Sequence, residues 1–201
     1  MTRFGGWLFR HRTSIPLPLA VIVLVLPVRQ TALAAQLIPY GLALIAAGEA
    51  IRFWGVRHIG AISRTRSERL GPLVDTGPFA LVRNPLYIGN IALWAGFALV
   101  GRNAWLAPLF VVILGIEYHA IVRWEEALLT SRLGAVYVDY MQRVPRWMPE
   151  LRHKGREGHK GSDLPKFSGR ETVHSERGTL IAIAVGLLLL ALKAYGWRLM
   201  A

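Results

Sequence analysis

The chain has 201 residues, of which 53% are hydrophobic and 18% are charged, and its mean hydropathy is +0.37. These values argue against an ordinary soluble domain and more strongly against a disordered chain. The absence of cysteine excludes disulfide bonds, zinc sites built on thiolates and a cysteine nucleophile.

Five apolar stretches follow one another along the chain, separated by polar segments. A membrane helix needs about 20 mostly apolar residues. The second, fourth and fifth stretches meet this requirement, the third meets it if it begins near Pro85, and the first carries three prolines and is the weakest candidate. The pattern predicts an all-α integral membrane bundle of about five transmembrane helices. In chain order the stretches are residues 15–28, 31–54, 86–100, 105–122 and 179–197.

The polar segments differ in character. Residues 55–83 contain several Gly and Pro and are expected to form a structured cytoplasmic loop. Residues 123–144 have apolar positions at helical spacing, which predicts a cytoplasmic amphipathic helix continuing from the fourth membrane helix. The predicted organisation is a membrane core at 1–149, a flexible basic linker at 150–178 and a C-terminal transmembrane helix at 179–201.

Basic residues are distributed unevenly between the two predicted sides of the membrane. Twenty of the 24 Lys and Arg lie before the first stretch, between the second and third (counting Arg52 at the end of the second), or between the fourth and fifth. This bias predicts a multi-pass protein of the cell membrane, of bacterial inner-membrane type, with a cytoplasmic N-terminus and an outside C-terminus. It explains the net charge of +12 without a nucleic-acid partner. A signal peptide cleaved near residues 32–34 is an alternative that leaves the remaining topology unchanged.

The first motif that can carry chemistry lies just before and inside the third apolar stretch. Residues 77–89 read Gly-Pro-Phe-Ala-Leu-Val-Arg-Asn-Pro-Leu-Tyr-Ile-Gly. Pro85 suits the first turn of a helix, where free N–H groups can face a carboxylate or another anion. Tyr87 and Gly89 lie just inside, and glycine permits the close approach of a ligand or a helix.

Two further motifs lie on the same predicted side. The sequence Arg-Trp-Glu-Glu at 123–126 places two adjacent carboxylates beside the membrane, where they need solvent or a partner, and they can bind hydroxyls or an ammonium group. Tyr137, Tyr140 and the Val-Pro-Arg at 144–146 can form an aromatic lid over both. Taken singly, each motif also fits a simpler role: a turn, a solvated helix face or an interfacial aromatic belt.

Taken in order, the three motifs resemble the isoprenylcysteine carboxyl methyltransferase and phospholipid methyltransferase superfamily. The resemblance covers residues 40–149 and implies a multispanning membrane enzyme that uses S-adenosylmethionine. It implies a cofactor pocket facing the cytosol and a lipid-like substrate that enters from the bilayer. The motifs are G-P-F-x-x-V-R-N-P-x-Y-x-G, R-x-E-E-x-x-L and G-x-x-Y-x-x-Y-x-x-x-V-P-R.

The resemblance also implies roles for individual residues. The segment Asn84 to Tyr87 falls on the family's cofactor-binding His-Pro-x-Tyr, and Glu125 with Glu126 falls on its acidic pair. The expected cofactor contacts are Asn84, Pro85, Leu86, Tyr87, Gly89, Glu125 and Glu126, the expected substrate contacts are Arg83, Tyr137 and Tyr140, and the expected catalytic residue is Arg123.

The chain departs from the family pattern at two motif positions and at its C-terminal end. Asn84 replaces the usual His, so the position carries no imidazole, and Phe79 replaces the usual Tyr. The linker and the fifth helix extend beyond the family core, and the resemblance assigns them no role.

The resulting hypothesis is carboxyl O-methylation or amine N-methylation of a lipid-like or isoprenylcysteine-like acceptor. The bilayer and this acceptor are the expected partners, without a metal, nucleic acid or an obligate protein partner. One alternative is an NADPH-dependent membrane reductase, since sterol reductases resemble the chain around 125–146; binding of NADPH instead of S-adenosylmethionine would favour it. Another is a non-enzymatic lipid-binding scaffold whose basic segment 152–177 holds anionic lipid.

Overall fold

The computed structural model describes residues 2–60, 73–149 and 166–199. Within these ranges the regular structure is helical and contains no strand, which confirms the predicted all-α class. The helices are α1 (Thr2–His11), α2 (Leu17–Val25), α3 (Ala32–Gln36), α4 (Ile38–Ile59), a 3₁₀ helix (Gly77–Ala80), α5 (Pro85–Val100), α6 (Leu106–Leu133), α7 (Ala135–Arg143) and α8 (Gly169–Leu199).

Several helices are apolar enough to lie in a membrane. Three segments of the described chain are long enough to cross it, namely Ala32–Ile59, Leu106–Leu133 and Gly169–Trp197, and α5 is a shorter apolar helix of 16 residues. The first apolar stretch forms α2, whose nine residues rise only about 14 Å along the helix axis. The fold is therefore a multi-pass membrane helical bundle, as the hydropathy pattern predicted.

The most extensive contact between helices joins α4 to α5. Facing glycines bring the two backbones together at two levels. A Cβ on Gly48 would lie 2.7 Å from the carbonyl oxygen of Gly89, and a Cβ on Gly41 would lie 2.8 Å from that of Gly96. Small residues permit such close approach between membrane helices, and here they fix where the start of α5 lies against α4.

The predicted amphipathic helix at 123–144 is two helices in the structure. Helix α6 ends at Leu133, and Gly134 follows with a φ of 57°, a left-handed conformation that favours glycine. Helix α7 then begins at Ala135. This break between the two helices shapes the site, because it lets α7 pack towards the 3₁₀ helix.

The boundary of the C-terminal helix also differs from the prediction. Helix α8 begins at Gly169, so the last ten residues of the predicted linker are helical. A capping box explains the early start: the backbone N–H of Ser168 donates to Glu171 (2.8 Å), and the N–H of Glu171 donates to the Ser168 hydroxyl (3.3 Å). Residues 150–165 of the predicted linker and residues 61–72 of the predicted loop lie outside the described residues.

Two ends of the bundle can be distinguished by their contacts. At the far end, the side chain of Asn103 donates to the Pro27 carbonyl (3.3 Å) and that of Gln30 donates to the Trp197 carbonyl (3.4 Å). At the cavity end, the 3₁₀ helix, the start of α5 and α7 meet, where Tyr140 donates to the Phe79 carbonyl (2.8 Å). Lys193 lies at the far end, and Arg29 and Arg102 lie next in the chain to residues of this end. These are three of the four basic residues predicted to lie outside.

Candidate active site

A cavity of about 640 Å³ lies between α4, α5, α6 and α8 and extends to the cavity end of the bundle. Nine of the eleven predicted site residues line it, which brings the three motifs of the sequence to one place. These are Arg83, Asn84, Pro85, Leu86, Tyr87, Glu125, Glu126, Tyr137 and Tyr140.

Glu126 joins the three motifs through ion pairs. Its Oε1 lies 2.9 Å from Arg83 Nη1, and Arg146 donates to both of its oxygens, from Nε at 2.9 Å and from Nη2 at 2.6 Å. The hydrogen bonds to Glu126 raise the pKa of Arg146 above its ordinary value. Because cations occupy both oxygens, Glu126 organises the cavity end and has little capacity left for a ligand.

Backbone and amide hydrogen bonds complete this junction. The backbone N–H of Arg83 donates to the Pro145 carbonyl (2.9 Å), and the side chain of Asn84 donates to the Arg146 carbonyl (3.0 Å). Asn84, the position where the family has His, therefore holds the segment after α7 against the start of α5.

Glu125 has different surroundings from its neighbour. Tyr87 donates its hydroxyl hydrogen to Oε2 of Glu125 (3.1 Å), and the Tyr87 ring stacks on that of Tyr118, with centroids 4.6 Å apart. The other oxygen, Oε1, accepts no hydrogen bond from any residue that the structure describes. Glu125 is thus the member of the acidic pair that can bind a ligand in the cavity.

The two tyrosines of α7, which the sequence predicts to form an aromatic lid, line the cavity. Tyr137 and Tyr140 are 4% and 3% exposed and pack with Val144 in a small apolar cluster. Burial raises the pKa of both phenols well above the ordinary value, so both remain neutral hydrogen-bond donors. The Tyr140 hydroxyl donates a hydrogen bond to the carbonyl of Phe79, and Phe79 is itself buried.

Two predicted site residues do not reach the cavity. Arg123 is exposed on α6 and is absent from the cavity wall. Gly89 lies in the contact with α4, where a Cβ would be 2.7 Å from both the Gly48 carbonyl oxygen and Arg52 Cγ. Its role in the structure is the close packing of helices.

Sequence reasoning missed a polar network that lines the cavity deeper in the bundle. Arg52 donates to Asn90 Oδ1 (2.5 Å), to Glu176 Oε2 (2.5 Å) and to Thr179 Oγ1 (3.1 Å). Asn90 in turn donates to the Tyr118 hydroxyl at 3.4 Å. The signal that could have found it is the presence of ionisable and amide side chains within apolar stretches, where each needs a partner.

Comparison with known proteins agrees with this geometry. The phospholipid methyltransferase family pattern matches residues 37–135, which include the start of α5 and the acidic pair. No solved structure matches the chain.

Three characterised relatives are similar to parts of the chain. A nickel-cobalt-cadmium resistance protein of Alcaligenes xylosoxydans is 28% identical over 73% of this chain and 68% of its own length. A protein-S-isoprenylcysteine O-methyltransferase of Arabidopsis thaliana is 29% identical over 55% of this chain and 58% of its own. A cobalt-zinc-cadmium resistance protein of Cupriavidus metallidurans is 28% identical over 39% and 36%, respectively.

The family pattern covers the first two motifs of the sequence. It includes the segment before and inside α5 and the carboxylates of α6, which the structure places around one cavity. The family pattern and the methyltransferase relative therefore both support the assignment of the chain to the isoprenylcysteine carboxyl methyltransferase and phospholipid methyltransferase superfamily.

Proposed function

We propose that the protein is a membrane methyltransferase that uses S-adenosylmethionine and acts on an acceptor with an apolar tail. The observation that carries the proposal is the junction at Glu126. There Arg83 of the first motif and Arg146 of the third meet Glu126, a carboxylate of the second motif, at the mouth of one cavity. The acceptor group is a carboxylate oxygen or an amine nitrogen.

The residues around the cavity suit the cofactor. S-adenosylmethionine carries a sulfonium, an amine, a carboxylate and ribose hydroxyls. The free oxygen of Glu125 suits its amine or hydroxyls, and the N–H groups of Leu86 and Tyr87, in the first turn of α5, suit its carboxylate. The cavity is also within the range of volumes that enclose ligands of this size.

When bound, the cofactor supplies an electrophilic methyl group for an in-line displacement. Positioning then accounts for much of the catalysis, and the chain supplies it through fixed groups. Glu126 and its two arginines hold the start of α5 against the segment after α7. Tyr137 and Tyr140 cover this end and exclude water, while Val56, Val122 and Leu129 offer an apolar wall to the acceptor's tail.

We propose further that the cavity end faces the cytoplasm in a cell membrane. The segments that connect at this end carry most of the basic residues of the chain, as the positive-inside rule requires. This orientation would open the site to the compartment in which S-adenosylmethionine is made available.

Calorimetric titration of purified protein with S-adenosylmethionine and S-adenosylhomocysteine tests the proposal. We expect saturable binding by the wild type, weakened at least about tenfold, or about 1.4 kcal/mol, in Glu125→Gln. The variant keeps the shape of the side chain but removes the charge that faces the cavity. Asp139→Asn, on the exposed side of α7, is the matched control and should bind like the wild type.

The same titration with NADPH distinguishes the proposed methyltransferase from the main alternative, a membrane reductase. A folded wild-type protein that binds NADPH and neither form of the cofactor would contradict the methyltransferase and favour a membrane reductase. A folded protein that binds none of the three would contradict both enzymes.

A further inference from the structure

Helix α1 lies before the region that the family pattern matches, yet its C-terminal end reaches the cavity. The helix packs closely on α6, since a Cβ on Gly5 would lie 2.5 Å from the Ala120 carbonyl oxygen. Phe9, in the last turns of α1, and Arg12 and Thr13, directly after it, contribute to the cavity wall. A segment to which the family pattern assigns no role is therefore part of the candidate site.

The Arg12 guanidinium is held in place by an aromatic ring. Its central carbon lies 4.0 Å from the centroid of the Phe9 ring, and Nη1 donates to the Phe9 carbonyl (3.4 Å). Phe9 is itself 4% exposed and packs on Trp124, with ring centroids 4.9 Å apart. The positive charge of Arg12 acts on both partners of the hydrogen bond between Tyr87 and Glu125. Arg12 is thus a positioned cation beside the acidic residue that faces the cavity.

The charges that line the cavity differ in how they are paired. Four arginines and three glutamates of the described chain line it, and two ion pairs join four of these seven side chains. Arg177 is exposed, and its Nη1 lies 3.1 Å from His174. A ligand near α1 therefore meets Arg12 and Glu125, one positive and one negative charge. The seven residues are Arg12, Arg52, Arg83, Arg177, Glu125, Glu126 and Glu176, of which Arg52 pairs with Glu176 and Arg83 with Glu126.

We propose that Arg12 binds the α-carboxylate of S-adenosylmethionine while Glu125 binds its α-ammonium. This inference rests on the proposed function, to which it adds a cofactor contact from outside the family pattern. The amino-acid end of the cofactor is a zwitterion whose two charged groups are attached to one carbon atom, so it fits a cation and a carboxylate that lie on the same side of the cavity.

The chemistry of the guanidinium suits this role. It carries five N–H donors in a planar fork that matches a carboxylate, so Arg12 can hold the ligand as well as the Phe9 carbonyl. The N–H groups of Leu86 and Tyr87, at the start of α5, can donate to the same carboxylate. Helix α1 would then fix the orientation of the cofactor, and Arg12 would be its positioning residue.

The test compares two probes that differ only in the carboxylate, S-adenosylhomocysteine and its decarboxylated form, without any turnover. Each is titrated calorimetrically into the full-length protein in non-ionic detergent. We expect the wild type to bind S-adenosylhomocysteine at least about tenfold more tightly than the decarboxylated compound, because a charge-assisted bidentate contact is lost with the carboxylate.

Four variants assign this preference to Arg12. Arg12→Gln should lose affinity for S-adenosylhomocysteine, bind the decarboxylated compound like the wild type, and so show no preference. Arg12→Lys keeps the charge without the fork and should retain part of the preference. Glu125→Gln should weaken both probes together, since both keep the amine. Arg10→Gln, exposed on α1, is the matched control and should behave like the wild type.

The outcomes separate this inference from the proposed function. A wild type that binds S-adenosylhomocysteine without preferring it to the decarboxylated form, or an Arg12→Gln variant that keeps the preference, would overturn the role of Arg12 alone. An Arg12→Gln variant that loses both probes equally would also overturn it, because Arg12 would then support the fold of the cavity; if that variant does not fold, loss of the whole preference in folded Arg12→Lys overturns the role of the charge. A folded wild type that binds neither probe would contradict the cofactor, and the role of Arg12 with it.

Discussion

Adjacent residues in one motif have separate partners in this protein. Glu125 and Glu126 are neighbours on α6, and side chains one residue apart on a helix point about 100° apart. One therefore faces Tyr87 and the cavity, and the other faces the two arginines of the cavity end. The sequence motif predicted both residues as cofactor contacts. It could not show that Arg146, from the segment after α7, pairs with Glu126.

Replacing Glu126 by Gln should destabilise the protein. The change removes the negative charge between Arg83 and Arg146 and leaves Arg83, which is 11% exposed, without its counter-ion. Breaking a buried pair costs about 3–5 kcal/mol, and we expect the lower part of this range because Arg146 is one-third exposed. Thermal unfolding in detergent measures the loss. Asp139→Asn breaks an exposed pair with Arg143 and should change the free energy of unfolding by less than about 1 kcal/mol; equal losses would refute the assigned role.

The buried tyrosines of α7 should make stability depend on pH in the alkaline range. Burial raises the pKa of Tyr137 and Tyr140 in the folded state, whereas the unfolded chain releases these protons near pH 10. Their contribution is therefore complete below about pH 10 and is lost as the pH rises above it. Unfolding temperatures measured between pH 8 and 11 should fall less steeply in Tyr137→Phe/Tyr140→Phe than in the wild type. Parallel slopes would show that other groups cause the alkaline loss.

At the scale of the elements, the packing of α4 on α5 determines the geometry of the site. The glycine contacts hold Arg52 of α4 beside Asn90 of α5, and Tyr87 lies one turn away. The geometry of the polar network thus depends on glycines that take no direct part in it.

Gly48→Ala should weaken this arrangement, because the added Cβ would lie 2.7 Å from the backbone oxygen of Gly89. Overpacking of this kind costs about 1–3 kcal/mol, against a gain in helix propensity of about 1 kcal/mol. Gly115→Ala on α6 is the control, since a Cβ there meets nothing within 4 Å and should leave stability unchanged or raised. Thermal unfolding and S-adenosylhomocysteine binding are measured for both. If the two variants behave alike, the glycine contact does not hold the site.

Most of the helices, and most of the residues at the cavity end, could be predicted from the sequence. The physical reasons for this also explain which contacts the prediction missed. Apolar stretches of sufficient length reveal membrane helices, and local motifs such as Pro85 at a helix start reveal their ends. The contact of Arg52 with Glu176 joins residues 124 positions apart, and no local pattern encodes it. Likewise, the exposure of Arg123 depends on which face of α6 the other helices cover.

At the scale of the whole molecule, the bundle separates its charges between two ends. The segments that meet at the cavity end include Arg83 and Arg146, which bind Glu126. At the far end, Lys193 donates to the Val23 carbonyl at 2.6 Å. A strong bias of Lys and Arg sets the orientation of a membrane protein, because basic segments resist transfer across the bilayer.

The orientation can be tested directly because the chain contains no cysteine. We expect Gln30→Cys, exposed at the far end, to react with a membrane-impermeant maleimide in intact spheroplasts. Ser131→Cys, exposed near the end of α6 on the side of the cavity, should react only after lysis. The cysteine-free wild type is the control for background labelling. The reverse pattern would place the cavity end outside the cell, away from a cytoplasmic supply of S-adenosylmethionine, and would contradict both the orientation and the cofactor assigned to the site. Labelling of both variants before lysis would contradict the single orientation that the charge bias predicts.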